Sequence, residues 1–205
     1  MVNYKSYRIL PIALTVVIII VAIAGIVALT SLLFKGGGSS SGPGTQESLE
    51  SQARTHLLDT TASSSVSMTV RGPIVADEDF RSFRVEISPT ERKFQAFKGY
   101  LDTTVDSEVL SNNVAAYTQF VNALERINMV SRAPFVGENN DVKGVCSSGS
   151  VYEFSTLKNG KVRDMFWTST CKGSAGSLRG SAKQISGLFL NQIPSGSNIS
   201  ESLSF

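Results

Sequence analysis

Apolar and polar residues change their spacing several times along this chain, and each change marks a different kind of element. From Ile9 to Phe34 run 26 residues without a charged side chain, centred on Val16-Val17-Ile18-Ile19-Ile20-Val21. A helix rises about 1.5 Å per residue, so such a run can cross a hydrocarbon core of ~30 Å with some tilt. Pro11 falls in the first turn, where its missing N–H would have had no intrahelical partner. Gly36 to Gly44 then carry no side chain large enough to bury, which predicts a flexible linker over 35–44.

The rest of the chain reads as one α+β domain over 45–194. Thr45 can cap a short helix whose apolar face is Leu49, Ala53 and Leu57. Val66, Met68 and Val70 alternate with small polar residues as in a strand, which Arg71-Gly72-Pro73 ends. Phe83, Val85 and Ile87, the turn Ser88-Pro89-Thr90-Glu91, and Phe94 with Ala96 predict a hairpin in which Ile87 faces Arg92, Val85 faces Phe94, Phe83 faces Ala96 and Glu86 faces Lys93. Leu110, Val114, Tyr117, Val121, Leu124 and Ile127 form a helical stripe, and Asp106 and Glu108 ahead of it suit a helix N-terminus, so one helix is expected from about Asp106 to Ile127.

Asn159-Gly160 is a type I′ hairpin signal, because that turn needs positive φ at both positions. It pairs Lys158 with Lys161 and Leu157 with Val162. The same register pairs Phe154 with Met165 and Tyr152 with Trp167, placing these four on one face and making Tyr152 and Trp167 a candidate contact surface. Ser181 and Gln184 form a capping-box pattern ahead of Ile185, Leu188 and Phe189, with Ile193-Pro194 closing that helix. The serine-rich stretch 195–205 reads as a mobile tail, and Asn198-Ile199-Ser200 matches a glycosylation acceptor. The expected domain is an antiparallel sheet of about five strands with two hairpins, packed by two or three helices.

Charge adds a topology to this pattern. Lys5 and Arg8 precede the apolar run and only Lys35 follows it closely, so the positive-inside tendency places residues 1–8 in the cytoplasm and the domain outside, as in a single-pass membrane protein. A signal peptide cut after Ala22-Ile23-Ala24 is the competing reading. Its apolar core would normally be about 7 to 15 residues, whereas Ile26 to Leu29 and Leu32 to Phe34 prolong the run. The expected partner of 9–34 is the lipid bilayer. Beyond residue 44 the remaining 16 basic residues meet 17 acidic ones, without the cationic excess that nucleic-acid binding requires.

Cys146 and Cys171 fall within about one pleat of each other in the hairpin register, which predicts a disulfide and agrees with an oxidising, extracytoplasmic compartment. Two cysteines without further ligands at suitable spacing do not make a zinc site, and no cofactor or metal is expected. His56 is the only histidine, expected to face solvent on the first helix. Ser155-Thr156-Leu157-Lys158 has the S-x-x-K form but sits on a strand and lacks the companion motifs of penicillin-recognising enzymes. Asp77 to Asp79 and Glu138 to Asp141 offer oxygen ligands without EF-hand spacing, and Gly173, Gly176 and Gly180 lack the Gly-Lys-Ser/Thr ending of a P-loop. Glu153 and Asp164, roughly diagonal on one face in this register, are candidates for acid and base work in a membrane-bound hydrolase.

The order of apolar helix, small α+β head and late disulfide resembles pilins. That resemblance implies a filament subunit, but the glycine-ended cleavage site and the glutamate early in the apolar run are missing, and the glycine linker interrupts the helix. The reading favoured by the sequence is a non-catalytic module of the cell envelope that binds an envelope protein or a cell-surface polymer.

Overall fold

The computed structural model describes residues 43–133, 142 and 144–194. The expected cytoplasmic segment 1–8, the span 9–34, nearly all of the linker, residues Glu138 to Asp141 and the tail 195–205 with Asn198 lie outside the described residues. Among the described residues no helix is long and apolar enough to cross a membrane.

Among the described residues, three helices and six strands follow one another as α1 (Pro43–Leu57), β1 (Ser64–Arg71), β2 (Arg81–Ile87), β3 (Glu91–Lys98), β4 (Thr103–Ser111), α2 (Val114–Arg126), β5 (Val151–Lys158), β6 (Lys161–Ser169) and α3 (Ala182–Leu190). All strand pairs are antiparallel, and the sheet order is β4-β3-β2-β1-β5-β6. The α+β class and the antiparallel sheet agree with the alternation in the sequence, with six strands in place of about five.

The additional strand comes from the segment expected to begin a long helix. Asp106, Glu108 and Leu110 belong to β4, and α2 starts only at Val114, where Asn113 in extended backbone accepts a hydrogen bond from Ala116 N on its side chain. β-Branched Thr103, Thr104 and Val105 favour a strand, and the helix N-terminus lies at Asn113, not at the acidic pair. α1 begins at Pro43, which suits a first helical position, so Thr45 lies inside the helix and is not its cap. Leu49 is exposed, while Ala53 and Leu57 are fully buried.

The β2–β3 hairpin has the expected register at every pair: Ile87 with Arg92, Glu86 with Lys93, Val85 with Phe94 and Phe83 with Ala96. One face of the sheet, carrying Val66, Met68, Val85, Phe94, Phe154 and Phe166, packs with Leu57 of α1, Tyr117 and Leu124 of α2, and Ile185 and Phe189 of α3 into a single apolar core. Phe189 stands edge-on to Phe120 with ring centroids 5.2 Å apart, joining α3 to α2. Burial, reinforced by the negative charges of Asp59 and Glu86, pushes the Tyr117 phenol well above its usual range. Ser181 caps α3 by accepting from Gln184 N, as its sequence pattern predicts.

Opposite the helices, β1 presents the buried small polar residues Ser65, Ser67 and Thr69, with Arg71 at its end. Glu86 accepts a hydrogen bond from Ser65 Oγ at 2.7 Å, and Arg84 Nε donates to Thr69 Oγ1 at 3.1 Å, so neighbouring long side chains lie across this row.

Candidate functional site

The β5–β6 hairpin carries most of the candidate residues, and a single inserted residue decides where they go. Asn159 and Gly160 have φ of 53° and 70°, the positive values that their turn demands. Lys158 pairs with Lys161 and Leu157 with Val162 as expected. The register then slips: Thr156 faces Asp164, Phe154 faces Phe166, Glu153 faces Trp167 and Tyr152 faces Thr168, leaving Arg163 as the extra residue of a bulge. A one-residue slip exchanges the two faces of the strand beyond it.

This slip corrects two expectations. Tyr152 and Trp167 do not share a face. Tyr152 is half-buried against the main core, whereas Trp167 is 2% exposed in a small second cluster with Cys146 and Val151. The joint contact surface expected of the two rings is therefore not formed. Glu153 and Asp164 are likewise separated onto opposite faces of the sheet. Arg71 Nε donates to Glu153 Oε1 at 2.8 Å, so each carboxylate also has its own cationic neighbour.

Asp164 is the centre of a polar cluster that the sequence did not suggest. Its Oδ2 accepts from Thr156 Oγ1 at 2.7 Å and lies 2.8 Å from His56 Nδ1, and Arg132 is 3.8 Å from Oδ1. The Arg132 guanidinium also lies over the Phe166 ring, 4.7 Å from its centroid. His56 thus faces the sheet and not simply solvent, although its side chain is 44% exposed. An aspartate holding a histidine is half of a nucleophile-activating triad, but the hydroxyl here, Thr156, donates to the aspartate and not to the imidazole. What the geometry does is fasten α1 onto β5 and β6. Arg132 N donates to Glu50 Oε1 at 2.8 Å and Arg54 pairs with Glu125 at 2.9 Å, extending the same fastening along the helix.

A second cluster closes the hairpin end. Lys158 Nζ lies 2.6 Å from Asp59 Oδ2 and also donates to Thr61 and Ser64. That ammonium group, followed by the N–H of Thr61, holds the Asp59 carboxyl well below the usual carboxylate range. Lys158 is thereby engaged away from Ser155, which is buried on the strand, so the S-x-x-K match acquires no chemistry.

Cys146 and Cys171 form a disulfide with Cα atoms 5.4 Å apart. The strands continue one pair past β5 and β6, with Thr170 N donating to Ser150 O at 3.0 Å, and this keeps the cysteines within bridging distance. Gly149 lies beneath the bridge, where a Cβ would be 2.2 Å from Thr170 Oγ1. Gly176 has φ of 73° and passes so close to β6 that a Cβ would be 2.2 Å from Trp167 O. These glycines serve close approach and not phosphate binding. Asp77 accepts from Tyr100 N at 2.7 Å, which ties it to the β3–β4 turn.

No known protein family, no curated protein and no solved structure matches this chain.

Proposed function

We propose that this chain is a single-pass membrane protein that displays its α+β domain outside the cytoplasm as a non-catalytic binding or assembly module of the cell envelope. The observation that carries this reading is the run of 26 uncharged residues, Ile9 to Phe34, with Lys5 and Arg8 on its N-terminal side. The Cys146–Cys171 disulfide supports it, since such bonds persist in oxidising compartments. The surface best suited to a partner is the sheet face opposite the helices. There Arg84, Glu86 and Lys93 on one side and Arg71 with Glu153 on the other flank and cover the buried hydroxyls of Ser65, Ser67 and Thr69. Charged side chains of both signs laid over a hydroxyl row suit a polar envelope polymer or a polar protein surface.

Protease added to sealed cells or spheroplasts should digest the domain while residues 1–8 stay protected; a domain that survives until the membrane is ruptured overturns the reading. A photoreactive residue in place of Lys93 should capture an envelope component in intact cells, and one in place of Lys161 at the hairpin turn should not.

A further inference from the structure

The two ends of the sheet differ in what their loops expose. At the end where β1, β3 and β6 finish, the β1–β2 loop and the β3–β4 turn present Ile74, Val75, Tyr100 and Leu101, and Val105 follows at the start of β4. Leu101 is 92% exposed, the most exposed large apolar residue among those described. Gly99 and Asp102, with φ of 75° and 52°, hold the tight turn that carries it.

These side chains stand on a braced platform. The Tyr100 hydroxyl donates to Val75 O at 2.7 Å and accepts from Val75 N at 3.1 Å, while the Tyr100 ring stacks on buried Phe80 at 4.2 Å. Asp77 holds Tyr100 N, and Ile74 N donates to Ser147 O at 2.9 Å. Two loops that would otherwise move separately are locked together with their apolar residues facing out, so little conformational entropy remains to be lost on docking.

The chain enters the domain at this same end. Along α1, His56 lies at Asp164 while Glu50 reaches Arg132, whose bridge partner Leu178 bonds to Trp167 O. Running backwards along α1 therefore runs up β6 towards Ser169, and Pro43 lies roughly 10 Å beyond Glu50 in that direction at 1.5 Å per residue. Only eight residues, 35–42, separate Pro43 from the apolar run 9–34. The opposite end of the sheet lies a further strand length away, about 26 Å for eight residues.

We infer that the platform of Ile74, Val75, Tyr100 and Leu101 docks on a lipid bilayer surface, Leu101 and Ile74 entering the interfacial layer. This inference rests on the membrane-anchor reading. The surrounding charges favour a zwitterionic surface over an anionic one: Asp77 is engaged by Tyr100 and Asp102 lies 3.8 Å from Arg71, while Glu78 and Asp79 follow Asp77 in the same loop. Docking is then driven by apolar burial and depends little on salt. Tethering raises the local concentration of lipid surface, so contacts too weak to recruit a free domain suffice.

The test uses the full chain in phosphatidylcholine vesicles carrying doxyl-labelled lipid, with an environment-sensitive dye attached through Leu101→Cys or, as control, Lys161→Cys. The dye at position 101 should be quenched at least twofold more than that at 161, and the difference should persist at high salt and disappear with Ile74→Asp. Hydrogen exchange of the unlabelled protein should show residues 99–102 protected in vesicles relative to Ile74→Asp, with unchanged exchange in β1 confirming that the variant is folded. Equal quenching at both positions, or preferential quenching at 161, overturns docking while leaving the anchor intact. A chain that does not co-float with vesicles overturns the anchor and docking together. Protection that requires an envelope protein instead of lipid assigns the platform to a protein partner and also overturns the proposal.

Discussion

Asp164 is 11% exposed in its side chain and receives the Thr156 hydroxyl, with His56 and Arg132 beside it. Removing a buried acceptor strands its donors, so Asp164→Ala should destabilise the domain by about 1 to 3 kcal/mol, whereas His56→Ala, which removes a half-exposed partner, should cost less than about 1 kcal/mol. Urea unfolding of the two variants measures the difference. Asp59 makes a pH-dependent contribution whose sign follows from its lowered pKa. The folded state holds the carboxylate more firmly ionised than the unfolded chain does, so this stability is complete above the ordinary carboxylate range and is lost as pH falls below about 4 towards the folded value. The stability difference between wild type and Lys158→Met should therefore be larger at pH 7 than at pH 2.5. Gly176→Ala combines positive φ with a collision against the backbone of β6, and a loss of at least about 2 kcal/mol is expected in the same assay.

At the scale of elements, the sequence was most legible where two independent constraints agreed. The β2–β3 register follows from a turn at Ser88 to Glu91 together with matched pairs on both faces, Val85 with Phe94 on one and Glu86 with Lys93 on the other. Asn159-Gly160 fixed the first pairs of β5 and β6 for the same reason. Nothing in local chemistry marks Arg163 as a bulge, because a bulge satisfies the register of the whole sheet and not the preference of one residue. Its consequence was to bury Trp167 beside the disulfide and send Asp164 to the helical face. The polar cluster of His56, Asp164 and Arg132 was illegible because it joins residues from three distant parts of the chain. β4 was misread because Leu110, Val114 and Tyr117 happen to keep helical spacing across a strand-to-helix junction. The edge position of β4 leaves Val105 and Val109 exposed and so removes the alternation of a half-buried strand. Asn113→Ala should cost about 1 kcal/mol, since only this side chain caps α2. Circular dichroism with thermal unfolding would register the loss.

For the whole molecule, the disulfide closes a segment of sequence separation 25 that covers Trp167 and the end of the last hairpin. The chain-entropy model gives about 3 to 4 kcal/mol for such a loop, so reduction should lower the urea midpoint correspondingly, and Cys146→Ala with Cys171→Ala should reproduce the reduced protein. Since α1 lies over the hairpin and not over the disulfide cluster, reduction should expose Trp167 to fluorescence quenchers before the main core opens.

The order of strands has a kinetic consequence. β1 lies between β2, which follows it at once, and β5, which arrives only after β4 and α2 have been made. During synthesis, the first four strands can assemble as a meander while one flank of β1 waits for a partner some eighty residues downstream. That waiting flank is an open template for any passing extended chain, yet the face of β1 turned away from the helices carries Ser65, Ser67, Thr69 and Arg71, which give a stray strand little apolar surface to hold. Replacing these hydroxyls with valines should leave the finished fold standing while increasing aggregation of newly made chains.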